Sequence, residues 1–462
     1  VRECVANCLK PNGEMKRGFV ALAAVVAAVM SWMPRAEAAE PADGGRRTAR
    51  AWDFLNSIGV CLHIQHGDDA ARIAPLLRYT GVRNVRDAAD GNYDMSGLLL
   101  VHREAGVGVV FGPGSGARDG CVESTLRAAR ELHEAGALVA VEGPNEPNNF
   151  GGVTYGGEAG GRELSWLPVA RMQRDLYAAV KADADLRQYP VYSSSEMGAQ
   201  SDNCGLQFLE IPEGAGTLMP AGTRYADYAN CHNYMYHPSW PGAPHDNQVW
   251  NAADPTPECH ADGLYGNFGR TWRRGFEGYA QAQLDTLPRV TTETGVRVGD
   301  CDGAVTESVQ AHNYMNVYLA QFARGWAKTF IYEFIDDGDG RFGFYGSDYT
   351  TKRMAADCLH NLTTILHDEA PARRLPRFDY AIEPQPATVH DLLLVKGDGS
   401  LWLVVWGERV EGEDTVTVRL PRRMRRIAVY DPVEGVEPLQ RLERTDEVRL
   451  TVSDGPLIVE LR

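Results

Sequence analysis

The stretch LVAVEGPNEPN, residues 138–148, is the most informative part of the sequence for the fold. Its first five residues form a short apolar run that ends at Glu142, a pattern typical of a buried parallel strand. Pro147, directly after Glu146, would end the strand there, so the Glu146 carboxylate is expected at the rim of a sheet. The stretch VTTETG, residues 290–295, has the same form, with Glu293 followed by Gly295.

Similar apolar runs recur on both sides of these two stretches and alternate with helical patterns. Eight alternations within residues 55–374 predict a (β/α)8 TIM barrel, an α/β fold. The alternative is a doubly wound open sheet, but no G-x-G-x-x-G turn follows an early strand. The predicted strands are 58–65, 82–86, 107–111, 138–142, 191–194, 225–234, 289–293 and 329–334.

The pattern changes after about residue 375. Short strand-like runs follow one another without a helical stretch, and turns such as Gly397-Asp398-Gly399 separate some of them. Residues 375–462 are therefore predicted to form a small C-terminal antiparallel β-sandwich that braces the barrel. Residues 39–54 are polar and are predicted to be a linker.

The first 38 residues are predicted to be a leader and signal peptide. A basic start at Met15-Lys16-Arg17 precedes an apolar run from Phe19 to Met33, and Ala36-Glu37-Ala38 supplies a cleavage site. The apolar run is short for a membrane span, although an uncleaved anchor is the alternative. We expect a secreted or periplasmic protein without a membrane span in its mature form.

Charge and cysteine usage restrict the partners. The formal net charge of -16 argues against a nucleic-acid partner, because phosphate binding requires a basic face. Seven cysteines follow the signal peptide, and an exported protein with that number is expected to form one to three disulfides. No C-x-x-C pair or convincing metal cluster is present, so neither metal nor cofactor is expected. The oligomeric state is left open.

Glu146 and Glu293 are the candidate catalytic residues. Hydrolysis of a glycosidic bond with retention requires two carboxyl groups about 5–5.5 Å apart, one as nucleophile and one as acid and then base. A barrel places such groups at the carboxyl ends of different strands. Glu146 follows the predicted fourth strand and Glu293 ends the seventh. Glu142 is a competing carboxylate on the fourth strand, with a buried structural role as the alternative.

Asn145-Glu146-Pro147 resembles the N-E-P signature of glycoside hydrolase clan A, and Thr292-Glu293-Thr294-Gly295 resembles the nucleophile segment of that clan. Families such as 39, 5 or 79 are similar in type. The resemblance covers about residues 55–367. It implies a secreted retaining glycosidase that acts on an oligo- or polysaccharide, with Glu146 as acid/base and Glu293 as nucleophile.

The resemblance also implies supporting residues. Asn145 would bind the sugar 2-hydroxyl, and Arg86 would keep Glu293 ionised. Cys231-His232-Asn233-Tyr234 resembles the clan's H-x-Y segment, in which the tyrosine holds the nucleophile. The positions of His63 and Tyr332 are those of sugar-contacting residues. The clan often has a tryptophan at the position of Tyr332, so stacking there is not implied. Trp240, in a long aromatic-rich loop before the seventh strand, is a candidate stacking residue.

Three other functions are compatible with parts of the sequence. A catalytically silent carbohydrate-binding or matrix protein could use the same fold. A metal-dependent esterase or amidase would need a His/Asp cluster, and a serine hydrolase would need a G-x-S-x-G elbow, which is absent. The paired glutamates favour the glycosidase over all three.

Overall fold

The structure is a computed structural model that describes residues 46–91, 93–149, 152–195, 202–235, 239, 249–253, 286–338 and 340–462. The predicted signal peptide, residues 1–38, lies outside the described residues. Within the described ranges, no helix combines the length and the apolar character that crossing a bilayer requires.

Eight parallel strands form a barrel. They are β1 (Ile58–Cys61), β2 (Asn84–Ala89), β3 (Gly108–Pro113), β4 (Leu138–Glu142), β5 (Val191–Tyr192), β6 (Ala229–Cys231), β7 (Arg289–Thr294) and β8 (Thr329–Ile331). Neighbours pair in the order β6-β7-β8-β1-β2-β3-β4-β5. A parallel bridge between Tyr192 and Tyr228, beside β6, completes the circle. The predicted barrel is confirmed.

Helices on the outside of the barrel connect these strands. They are α1 (Ala51–Ser57), α2 (Ala70–Thr80), α3 (Ser96–Ala105), α4 (Cys121–Glu134), α5 (Leu167–Ala182), α6 (Val249–Ala253), α7 (Glu307–Ala323) and α8 (Met354–Ile365). Their apolar faces pack on the outer faces of the strands in one large core. A smaller cluster fills the barrel interior: Cys61, Val110, Ala140, Tyr192, Val290 and Phe330. The interior is therefore packed, and ligands can bind only at its ends.

Four strands are shorter than the sequence predicted, including β5, which ends at Tyr192 and not at residue 194. β1, β6 and β8 end at Cys61, Cys231 and Ile331, although the apolar patterns continue for several residues. After each of these ends, the chain leaves the ladder and turns over the barrel mouth. An apolar pattern in the sequence indicates that residues are buried, but not that they form hydrogen bonds with a neighbouring strand. It therefore cannot distinguish the end of a strand from a buried loop.

The C-terminal residues form the predicted β-sandwich. Its strands are β9 (Ala381–Glu383), β10 (Val389–Val395), β11 (Leu401–Gly407), β12 (Asp414–Tyr430), β13 (Gln440–Val452) and β14 (Pro456–Leu461). Short strands, Arg46–Arg47 and Arg377–Phe378, pair beside them. β12 is a single long strand, and its register with β13 shifts between Arg419 and Met424. Because β12 pairs with β9 before this shift and with β14 after it, the sheet encloses its own core.

Residues 46–57 are ordered, whereas a linker was predicted up to residue 54. Ala49 and Arg50 pair in parallel with the end of β10, and α1 follows at once. The Thr48 hydroxyl donates to the Pro376 carbonyl at 2.7 Å. The polar composition of these residues suggested a linker. Their hydrogen-bond partners lie more than 300 positions further along the chain, so a short stretch of sequence does not reveal them.

The sandwich packs directly on the barrel through α7. Asn316 on this helix donates to the carbonyls of Gly407 and Asp454 at 3.0 and 2.7 Å. Trp402 and Trp406 on β11 belong to the same continuous apolar core as the barrel helices. The sandwich and the barrel therefore share one apolar core and are joined by hydrogen bonds from α7.

The expected disulfides are not formed by the described cysteines. Six of the seven cysteines that follow the predicted signal peptide are described, and none forms a disulfide: Cys61, Cys121, Cys204, Cys231, Cys301 and Cys358. Five are buried, where a thiol packs as a small apolar side chain. The seventh, Cys259, lies outside the described residues.

Lys328, just before β8, makes stability depend on pH. Its ammonium donates to the Asn56 carbonyl and to Oδ1 of Asn84, without a carboxylate partner among the described residues. Burial lowers the pKa of Lys328 to about 8. The unfolded chain therefore holds a proton that the native state lacks between about pH 8 and 10.4, and native stability should rise with pH there.

We expect Lys328→Met to remove this pH dependence. The free energy of unfolding of the wild type relative to the variant should increase by up to about 3 kcal/mol between pH 8 and 10.4. Urea unfolding of both proteins across this range measures the difference. Parallel pH dependence of the two proteins would contradict the expectation.

Candidate active site

The loop after β4 is built by close backbone packing. At Gly143, a Cβ atom would lie 1.8 Å from Oε1 of Gln173 and 2.7 Å from the backbone nitrogen of Ser194, so only glycine fits. Glu146 has a φ of +37°, an uncommon conformation for a residue with a side chain. The Ser195 hydroxyl accepts a hydrogen bond from the Glu146 amide at 3.1 Å. The loop thus holds Glu146 at the carboxyl end of the barrel.

Glu293, near the end of β7, receives two hydrogen bonds at its carboxylate. Nη1 of Arg86 donates to Oε1 at 2.6 Å, and the Tyr234 hydroxyl donates to Oε2 at 3.0 Å. Arg86 comes from β2 and Tyr234 follows β6, so three strands meet at one carboxylate. Burial, reinforced by Glu293, raises the pKa of Tyr234 well above its usual value, so its phenol stays protonated as a donor.

Glu146 has a different environment. Its Oε1 lies 2.6 Å from Nδ1 of His232, and its Oε2 accepts a hydrogen bond from Asn149 at 2.7 Å. A carboxylate oxygen of Glu146 and one of Glu293 lie within 4.8 Å of each other, with His232 between them. Both side chains are almost entirely buried. Two glutamates therefore face each other, one beside a guanidinium and the other beside an imidazole.

Glu142 has a structural role beside the two glutamates, because it binds Arg86. Its side chain is completely buried, and Arg86 binds both of its oxygens, at 2.8 and 3.2 Å. Nη2 of Arg86 also donates to Oδ1 of Asn145 at 2.6 Å. Arg86 thus bridges β4, the loop after β4, and β7. This geometry leaves Glu142 without access to a ligand and supports the structural alternative for that residue.

His232 follows β6 and is buried. Burial disfavours the charged ring, but the carboxylates of Glu293 and Glu146 outweigh this effect and raise the pKa of His232. Nδ1 of the ring is 3.4 Å from the Glu293 carboxylate and 2.6 Å from the Glu146 carboxylate, so His232 contacts Glu146 more closely.

His63 and Tyr332 form the other side of the mouth, after β1 and β8. Their rings meet edge to face at 5.4 Å. Nδ1 of His63 lies 3.3 Å from Oε2 of the buried Glu333. Although burial opposes charge on the ring, Glu333 raises the pKa of His63 to about 9. Burial raises the pKa of the nearby Asp87 carboxyl to about 7.

Two clusters of described residues have the donor types of a metal site. They are His63, Glu333 and Asp337, and the catalytic candidates Glu146 and Glu293 with His232. In the second cluster, Arg86, Tyr234 and Asn149 already bind the carboxylate oxygens. Nearby, Asp336 forms a buried ion pair with Arg353, whose Nη1 donates to Oδ1 of Asp336 at 2.7 Å.

The predicted site residues lie together wherever they are described. Asn145, Arg86, His232, Tyr234, His63 and Tyr332 surround the two glutamates or the adjoining rim, whereas Trp240 lies outside the described residues. Sequence reasoning missed Thr292, Asn230 and Asn149. Thr292 directly precedes Glu293 and Asn149 follows Glu146 by three residues, so proximity was the available signal.

Fold and site together define a (β/α)8 barrel with a glutamate pair at the carboxyl ends of its strands. No family model and no curated protein sequence matches the chain. Among solved structures, it is similar to a GH51 arabinofuranosidase from Xanthomonas axonopodis pv. citri, with a TM-score of 0.53 and 12% identity over 90% of this chain and 97% of that one. An endo-β1,6-glucanase is similar with a TM-score of 0.49 and 13% identity, over 91% and 93% of the chains.

A β-glucuronidase from Parabacteroides merdae is also similar, with a TM-score of 0.42 and 11% identity over 88% of this chain and 58% of that one. At such identities, the likeness to the arabinofuranosidase concerns the fold. It agrees with the clan A barrel that the N-E-P and T-E-T-G segments indicated.

Proposed function

We propose that this protein is a secreted retaining glycoside hydrolase that cleaves O-glycosidic bonds in an oligo- or polysaccharide. The observation that carries the proposal is the approach of Glu146 and Glu293 to within 4.8 Å in unlike environments. A short separation suits direct attack by one carboxylate, whereas an inverting pair needs about 6.5–9.5 Å to hold a water between them.

In the first step, Glu293 attacks the anomeric carbon. Arg86 and Tyr234 donate hydrogen bonds to its carboxylate and orient it for the attack. Glu146 donates a proton to the glycosidic oxygen as the bond to the leaving group breaks. The product is a glycosyl ester of Glu293 and a free alcohol.

In the second step, Glu146 acts as a base. It takes a proton from water, whose oxygen attacks the anomeric carbon and displaces Glu293. Two inversions give net retention. No cofactor takes part in either step of this proposal.

The substrate contacts proposed here surround the same pair. Asn145 would bind the 2-hydroxyl, and His63 and Tyr332 would line the sugar site from the opposite side. Tyr332 and Tyr234 both meet the ring of Phe342 edge to face, at 5.7 and 6.1 Å, which makes one continuous aromatic wall beside Glu293. Such walls pack against the apolar faces of sugars.

The test is an activity screen of the mature chain on an array of polysaccharides and aryl glycosides. We expect one class of glycan to be cleaved and NMR of the first-formed product to show the anomeric configuration of the substrate. Glu146→Gln should lose most of this activity while remaining folded. Glu158→Gln, an exposed glutamate outside the site, is the matched control.

Inversion at the anomeric carbon would refute the double displacement. A Glu146→Gln variant as active as Glu158→Gln would refute the assignment of the acid/base. If the wild type binds glycans in the array but cleaves none, the silent carbohydrate-binding protein becomes the better description.

A further inference from the structure

Thr292 lies at the centre of a buried polar cluster below the glutamate pair. Its Oγ1 is 2.7 Å from Oε1 of Glu142, 2.8 Å from Nδ2 of Asn230 and 3.0 Å from Nε2 of His232. All four side chains are buried. A hydroxyl donates one hydrogen bond and accepts two. These three neighbours therefore use its full capacity.

The neighbours determine the direction of each hydrogen bond. Glu142 is ion-paired with Arg86 and, as a carboxylate, can only accept. Oδ1 of Asn230 competes for the Thr292 proton at 3.0 Å, but the carboxylate is charged and nearer. Nδ2 of Asn230 is a donor. The remaining bond must be donated by His232, which places a proton on Nε2.

This assignment leaves Nδ1 of a neutral His232 with a lone pair. That lone pair faces Oε1 of Glu146 at 2.6 Å. Without a proton between them, the two acceptors repel each other, whereas one proton makes a strong hydrogen bond. Glu146 and His232 therefore hold one proton jointly and titrate as a pair.

We propose that Thr292 is a positioning residue that locks His232 in the Nε2–H tautomer and thereby retains, on the Glu146–His232 pair, the proton delivered to the leaving group. This inference rests on the proposed function and extends it to a residue without substrate contact. The charged groups that face His232 are Glu146 after β4, Glu293 on β7 and Arg86 on β2. Glu142 acts on the ring through Thr292.

The consequence of removing the hydroxyl can be derived. In the wild type, loss of the shared proton leaves the Nδ1 lone pair of His232 opposite the Glu146 carboxylate. Because these two acceptors repel each other, Glu146 and His232 keep their shared proton up to a higher pH. In Thr292→Val, the Nε2–H group loses its acceptor. On deprotonation, the ring can then move its remaining proton to Nδ1 and donate to Glu146. Deprotonation becomes easier, and the alkaline limb of activity should move to lower pH.

The test compares pH profiles of kcat/KM for the wild type, Thr292→Val and Thr292→Ser. On a substrate with a poor leaving group, the alkaline limb of Thr292→Val should lie about one pH unit lower, which corresponds to one lost hydrogen bond. Thr292→Ser keeps the hydroxyl and should restore the wild-type profile. The shift of the alkaline limb should be smaller for a dinitrophenyl glycoside, because its dinitrophenolate leaving group departs with little protonation.

Thr291→Val is the matched control. Thr291 is also buried on β7, and its hydroxyl lies within hydrogen-bond distance of two backbone carbonyls, those of Cys231 at 2.7 Å and Glu293 at 2.9 Å, rather than of the His232 ring. Its pH profile should match that of the wild type. An unshifted limb in Thr292→Val, or the same shift in Thr291→Val, would overturn the proposal.

Nitrogen-15 NMR of labelled histidines determines which ring nitrogen of His232 carries the proton, independently of catalysis. The His232→Gln variant identifies the His232 signal by its absence. We expect a proton on Nε2 of His232 in the wild type and on Nδ1 in deprotonated Thr292→Val. A wild type with Nδ1–H and a bare Nε2 would refute the inference and leave the proposed function intact. A wild type that cleaves no glycan would refute the function, while the NMR result would still decide the tautomer.

Discussion

Replacing Glu293 with glutamine should reduce kcat/KM by on the order of 10⁴-fold or more, because in the proposed mechanism the Glu293 carboxylate forms the bond to the anomeric carbon. The amide keeps the shape of the side chain: its oxygen can still accept the hydrogen bond from Arg86, and its NH2 group can donate to the hydroxyl oxygen of Tyr234. Stability should therefore change little. Steady-state kinetics and thermal unfolding of the same preparations separate the two effects.

A mechanism-based label adds a direct measurement to this prediction. A 2-deoxy-2-fluoro glycoside with an activated leaving group slows both steps and allows the ester to accumulate. Peptide mass spectrometry should locate the adduct on Glu293 in the wild type and find none in the variant. An adduct on Glu142 or Glu146 would contradict the assignment, as would a Glu293→Gln variant with near wild-type rates.

Arg86→Met should lower the free energy of unfolding by about 3–5 kcal/mol near neutral pH, the usual cost of leaving buried charge without its partner. Arg86 is 5% exposed and binds Glu142 and Glu293, which are also buried. Methionine fills much of the volume but supplies no charge. Activity should fall as well, because Glu293 loses its cation.

Urea unfolding of Arg86→Met and Arg130→Met measures this effect. Arg130 is paired with Asp183 but is half exposed, so its removal should cost less than about 1 kcal/mol. The double variant Arg86→Met/Glu142→Gln should recover part of the stability because one orphaned charge is gone. A loss in Arg86→Met no larger than in Arg130→Met would show that the buried network contributes little.

The sequence alone determined the barrel and the positions of the glutamates. Alternating apolar runs and amphipathic helices bury their apolar faces in only a few arrangements, and eight alternations favour closure. In a closed parallel barrel, the carboxyl ends of all strands meet at one mouth. Glu146 and Glu293 could therefore be expected as neighbours although 147 positions separate them.

Other features were decided by the tertiary structure. Glu142 and Glu146 both come from the fourth strand and its loop, and only packing made one an ion-pair partner of Arg86 and placed the other beside His232. The order of residues 46–57 and the thiol state of the described cysteines likewise depend on partners elsewhere in the chain. Local pattern reports which residues are buried. Which polar groups meet, and hence where each proton resides, depends on distances between strands that no local pattern contains.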